Sequence, residues 1–188
     1  DKKDYLNISF IEKWIYKKAS KLIFTMEGGR DYIIDRGWNK EKGGPIDLAK
    51  VFHINNGVDL ERFNYYKHNF ITTDLELEEK EFKVIYAGSL RRVNNVRAFV
   101  DTAQLIKEKG YNHIKFLIYG EGTDREKLEK YCLDHKLDNV SFKGWANKDR
   151  IPYILSKGDL NILHFEQNSL SRYGASLNKV FEYFASGR

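Results

Sequence analysis

The stretch FKVIYAGSLRRVNNVRAFVDTAQLIKEKGYNHIKFLIYGEG, residues 82–122, decides the fold. Phe82–Ala87 is a short apolar run and Ile114–Tyr119 is another. Between them Val96, Phe99, Val100, Ala103 and Ile106 recur on one helical face, and Gly110 stands where a C-terminal cap belongs. This is a strand–helix–strand unit, and the pattern continues downstream. Thr123 and Glu126 have capping-box spacing ahead of a helix striped by Leu128, Tyr131 and Cys132. Val140–Phe142 reads as a third strand, and Asn147 as the cap of a helix that runs through Ser156 and ends at Gly158. Leu160–His164 reads as a fourth strand and Leu177–Ser186 as a fourth helix. Four β–α units in succession demand parallel pairing, so the fold class is α/β, a doubly wound, Rossmann-like parallel sheet.

Upstream the pattern breaks. A helix (Ile8–Ala19), a strand (Leu22–Thr25), a helix (Asp31–Arg36), a Gly/Lys-rich loop and a strand (Val51–Ile54) form a separate run, expected outside the four-stranded sheet. Asn55–Lys80 is polar, carries the acids Glu76, Glu78 and Glu79, and lacks apolar periodicity. It reads as an interdomain connection.

Composition excludes several classes. With 41% apolar and 14% aromatic residues in 188, the chain can bury a core and is not disordered. Its longest apolar runs are strand-sized, far short of a membrane span. The charged N-terminus lacks a signal-peptide core, and the single cysteine, Cys132, forms no internal disulfide framework. Both point to the cytoplasm. The net charge of +5 suits a polyanionic partner, or simply a Lys-rich solvated surface. Five scattered histidines without ligand spacing predict no metal site. The helix with Lys13, Lys17 and Lys18 opposite Ile11, Trp14 and Ile15 could lie on an acidic membrane, although packing on a sheet is favoured because a strand follows directly. The aromatics sit mostly inside elements, so no nucleic-acid surface is expected.

Ligands of open α/β sheets bind beyond the carboxyl ends of the strands. Here those loops begin at Gly88, Gly120, Lys143 and Phe165. Gly88 lets a ligand approach the backbone beside Ser89. Arg91 and Arg92 are either phosphate ligands or solvated arginines of a surface turn. Gly120-Glu-Gly122 resembles part of a dinucleotide fingerprint. Its third glycine is replaced by Arg125, and no acidic ribose partner ends the next strand, so the NAD reading stays only as a competitor.

Two segments carry a family resemblance. HINNGVDLERF (His53–Phe63) is similar to the Ile-Pro-Asn-Gly-Val-Asp segment that joins the two domains of group 1 (family 4) GT-B glycosyltransferases. YGASLNKVFEYFASGR (Tyr173–Arg188) is similar to the Tyr-Gly-x-Ser-Pro-Asn-Lys-x-x-Glu-Tyr-Met-Ala run of members that build O-antigen and capsule polysaccharides. The resemblance implies a GT-B fold with residues 1–56 as the tail of the acceptor domain and 57–81 as the connection. Residues 82–188 would be the nucleotide-sugar-binding domain without its final helix. Both ends read as cut, so such a chain is expected to hold donor weakly and to lack turnover.

The resemblance further implies that Glu182 holds the donor ribose, as the second glutamate of the family's Glu-x7-Glu motif. The first glutamate's position is Gly174, so Ser176, Asn178 and Lys179 are the polar groups left to meet the donor sugar. Arg92 falls near the family's diphosphate ligand and Trp145 near its base. The activity implied is retaining, metal-independent sugar transfer, with no cofactor beyond a nucleotide-sugar substrate, expected to be UDP-linked. The acceptor would be a surface polysaccharide or lipid-linked glycan, at the inner face of the plasma membrane. A sugar-nucleotide epimerase of the same fold is the alternative.

Overall fold

The computed structural model describes residues 2–166 and 168–188. The chain divides into two compact units, Asp1–Asn56 with Gln167–Leu177, and Gly57–Glu166 with Asn178–Arg188.

In the first unit α1 (Lys2–Lys18) precedes β1 (Leu22–Phe24), α2 (Gly29–Asp35) and β2 (Val51–His53). β1 and β2 pair in parallel as a two-stranded sheet of their own. Its core gathers Leu22, Phe24, Ile33, Trp38, Ile46 and Val51 with Tyr173, contributed by the distant segment Gln167–Leu177. The Gly28 N–H donates to the Tyr173 carbonyl at 2.8 Å.

The second unit opens on α3 (Leu60–Asn69), capped by Asp59, whose carboxylate accepts the Arg62 N–H at 3.0 Å. This helix lies inside the segment expected to be a plain connection. Its periodicity is hidden because Phe63 is its buried residue while its neighbours stay polar or exposed. Next come β3 (Phe82–Ala87), α4 (Val96–Glu108), β4 (Ile114–Tyr119), α5 (Arg125–Asp134), β5 (Val140–Gly144), α6 (Ile151–Lys157), β6 (Leu160–Asn161) and α7 (Asn178–Ser186).

The four strands form one sheet in the order β5-β4-β3-β6, every pairing parallel. Alternation along β3 and β4 explains why both read as continuous apolar runs. Val84, Tyr86, Phe116 and Ile118 enter the core under α4 and α5, while Ile85, Ala87, Leu117 and Tyr119 enter the core with Ile154, Leu155 and Tyr183. A sheet covered on both faces has no polar side to show.

Three local expectations are corrected. β6 ends at Asn161, because only Val84↔Leu160 and Ile85↔Asn161 pair before the chain leaves the sheet. α6 starts at Ile151 and Asn147 is not its cap. Pro152 lacks an N–H and fits only a first turn, so it fixes the start. The Thr123–Glu126 capping box does not form: Asp124 occupies the cap position of α5 without a side-chain bond, and its N–H donates to the Leu90 carbonyl at 3.0 Å.

Candidate functional site

Beyond the carboxyl ends of β3, β4 and β5 lies a cavity of about 430 Å³ in the second unit. Its floor is backbone. The N–H of Gly88 donates to the Tyr119 carbonyl at 2.8 Å and that of Gly120 to the Gly144 carbonyl at 2.7 Å, so the three loops are laced together. A Cβ on Gly120 would stand 1.8 Å from the Gly88 oxygen, and one on Gly122 would stand 2.2 Å from the Leu90 oxygen. The Gly-x-Gly pattern is therefore used up in packing one loop on the next, which removes the residue-level case for a dinucleotide fingerprint.

α7 supplies the charge. Tyr183, buried at 6% exposure, accepts the Ala87 N–H through its hydroxyl at 3.1 Å and so anchors the helix to the end of β3. Burial pushes the Tyr183 phenol up to about 12. That anchorage carries Asn178, Lys179 and Glu182 into the cavity wall. The Lys179 ammonium donates to the Tyr86 hydroxyl at 3.1 Å and stands 4.7 Å from the centre of that ring. A Cβ on Gly88 would fall 1.9 Å from Lys179 Nζ, so glycine there makes room for the ammonium. Burial lowers the Lys179 pKa, against a smaller upward pull from Glu182. Burial likewise raises the Glu182 carboxyl, opposed by Lys148 and Lys179. Two desolvated opposite charges in an open cavity are poised for a ligand carrying both anionic groups and hydroxyls.

Of the residues singled out from the sequence, Gly88, Ser89, Gly120, Trp145, Asn178, Lys179 and Glu182 line this cavity together. Trp145 is 70% exposed, its ring offered to solvent. Arg91 and Arg92 lie outside the lining. Both are exposed, and Arg92 reaches Glu166 at 3.9 Å. Ser176 belongs to the first unit, where its hydroxyl accepts the Asn56 N–H at 3.1 Å. Gly174 takes φ +95°, a backbone state that disfavours any residue with a Cβ, glutamate included.

Sequence reasoning missed Lys148, Tyr86, Tyr119 and Ile151. Tyr86 had a legible signal, as an inward residue two before a ligand-edge glycine. Lys148 had none among so many lysines. Among the described residues no group of three or more His, Cys, Asp or Glu could hold a metal ion. No helix there is long and apolar enough to cross a membrane.

A family model described as Glycosyl transferases group 1 matches residues 68–168, more than half of the chain. The chain belongs to that family. WcaI of Escherichia coli (strain K12), named as a putative glycosyl transferase of colanic acid biosynthesis, is 21% identical over 126 residues, 65% of this chain and 30% of WcaI. A similar fold occurs in S. aureus TarM, solved as a point mutant with Fondaparinux, alpha-GlcNAc-glycerol and UDP (TM-score 0.62, 23% identity, 94% of this chain, 31% of TarM). Anabaena Alr3699/HepE, solved with UDP and glucose, matches at TM-score 0.67 and 16% identity, over 92% of this chain and 44% of HepE. This chain thus spans about a third of WcaI. At these identities the two structures establish the fold: the α/β chain with parallel sheets shares its architecture with GT-B glycosyltransferases.

Proposed function

We propose that the second unit binds the nucleotide-sugar donor of a retaining, metal-independent transferase that builds a surface polysaccharide or lipid-linked glycan. The observation that carries this reading is the cavity itself, with glycine backbone for a floor and Lys179, Lys148 and Glu182 along one wall. The Glu182 carboxylate would accept hydrogen bonds from the ribose hydroxyls. The two lysines, with the N-terminus of α7, would stabilise the diphosphate as it leaves, the task a divalent ion performs elsewhere. Trp145 would offer its ring to the base. UDP is the donor nucleotide to test first, because the TarM and HepE structures were both solved with it.

A melting-shift panel of UDP, GDP, ADP, NAD and short RNA on this chain tests the reading. UDP or GDP should raise the midpoint, while NAD and RNA leave it unchanged, and the shift should be the same in EDTA. A shift given by NAD alone, or one abolished by EDTA and restored by Mg²⁺, overturns it. Product analysis of a complete enzyme separates transfer from sugar-nucleotide epimerisation.

Peripheral membrane contact belongs to the same reading. α1 exposes Phe10, Ile11, Trp14 and Ile15 on a helix that also carries Lys13, Lys17 and Lys18. Co-sedimentation with anionic vesicles should be strong at low salt and weak with neutral vesicles. Equal binding to both, or to neither, removes the membrane from the account.

A further inference from the structure

The acidic segment before β3 is bonded residue by residue across the second unit. Asp74 Oδ2 accepts the Tyr119 hydroxyl at 2.6 Å, and its Oδ1 accepts from Lys143 Nζ at 2.8 Å. Glu76 also pairs with Lys143 and accepts the Ser141 hydroxyl at 2.8 Å. Glu78 accepts from Tyr153 at 2.6 Å and from Lys157 at 2.8 Å. Leu77, at 2% exposure, pins this strap into the core with Ile85, Ile154 and Leu155.

These pairs are not equivalent. The side chains of Lys143 and Asp74 are 15% and 16% exposed, against 32% and 52% for Lys157 and Glu78. Burial pushes the Asp74 carboxyl up, but its bonds to Lys143 and Tyr119 outweigh that and hold it below the usual carboxylate range. Removing the charge of Asp74 leaves half-buried Lys143 with Glu76 alone and costs more than loss of the exposed Glu78–Lys157 pair, which contributes little.

Position gives the inner pair its meaning. Tyr119 is the last residue of β4, directly before Gly120, and it lines the donor cavity. Lys143 precedes Gly144, whose carbonyl receives the Gly120 N–H, and Trp145 follows. Asp74 therefore grips β4 at its last residue and β5 at its second-last, just before the loops that form the cavity. A second cavity of about 310 Å³, lined by Thr72, Thr73, Asp74 and Lys143, shares Tyr119 and Trp145 with the first.

We propose that Asp74 is a positioning residue for the donor site: by holding Tyr119 and Lys143 together it fixes the Gly120 and Trp145 loops against each other. The effect on ligand rests on the donor reading above, while the effect on the loops does not.

Asp74→Asn and Glu78→Gln, made in this chain, separate positioning from general stabilisation. Amide exchange at Gly120 and at Leu90, whose N–H donates to the Glu121 carbonyl at 2.9 Å, and UDP affinity by calorimetry, are the two readouts. Asp74→Asn should speed exchange at both amides, and weaken UDP binding, by about tenfold each. Glu78→Gln should leave both within about twofold. The proposal fails if Gly120 exchange is unchanged in Asp74→Asn, or rises only in step with Ile85 in the core. Should Asp74→Asn not fold, Tyr119→Phe removes the same hydroxyl while keeping the ring, and unchanged Gly120 exchange there is equally fatal. A wild-type chain that binds no UDP sinks the donor reading, and the exchange data still decide the role of Asp74.

Discussion

Gly120→Ala should destabilise the chain by about 3 kcal/mol or more, lowering its thermal midpoint by roughly 6–12 °C. The new Cβ would meet the Gly88 oxygen at 1.8 Å and its carbonyl carbon at 2.8 Å, with φ at +146°. These atoms are backbone, so no side chain can swing aside. Relief requires parting two loops that are held by the Gly88–Tyr119 and Gly120–Gly144 hydrogen bonds. Because Gly88 and Gly120 both line the cavity, nucleotide affinity should fall with stability. Gly110→Ala is the control. It also has positive φ, +84°, yet nothing lies within 4 Å of its would-be Cβ, so it should cost only about 1–2 kcal/mol. Equal losses in the two variants, measured by thermal denaturation, would show that backbone conformation rather than loop packing governs Gly120.

That contrast explains what the sequence could disclose. β3 and β4 are legible to the residue, because strands buried on both faces are apolar along most of their length, with Lys83 and Lys115 as the exceptions near their starts. α3 is not, since a helix that buries Phe63 leaves no stripe to find. β6 reads too long from sequence because Ile162 and Leu163 are apolar, and apolarity alone does not show where pairing with β3 stops. In the cavity, Lys179 and Glu182 were reached through a family resemblance, and the loop glycines through their place after strands. Lys148 sits in a charged loop like many other lysines, and only the fold brings it beside α7. Arg91 and Arg92 follow a strand as a phosphate-binding pair would, and the turn at Arg92–Asn94 leaves the Arg92 side chain 91% exposed, outside the cavity lining.

Glu182→Gln should weaken UDP binding by roughly tenfold to a hundredfold, the ~1.5–3 kcal/mol carried by hydrogen bonds to a charged acceptor. The same change should leave the unliganded chain at least as stable as before, and that pairing of effects is the decisive part. An exposed acid that merely complements the α7 dipole would cost ~0.3–1 kcal/mol of stability when neutralised. Glu182 is different, because burial raises its carboxyl despite the nearby Lys148 and Lys179. A group whose folded pKa lies above its unfolded value stabilises the fold fully below the unfolded pKa. It loses that contribution as pH rises through the folded one. At neutral pH the ionised Glu182 therefore holds the empty chain below its possible stability, a cost that glutamine removes. The wild type should lose UDP affinity as pH falls through the raised Glu182 pKa. The variant shares the nucleotide's own phosphate titration, so the difference between their profiles isolates Glu182. Calorimetry from neutral pH down to the lowest pH at which the chain stays folded, with parallel melting curves, reads both effects. Unchanged affinity in a folded variant would reduce Glu182 to a helix residue, and a clear loss of stability would return it to the dipole reading.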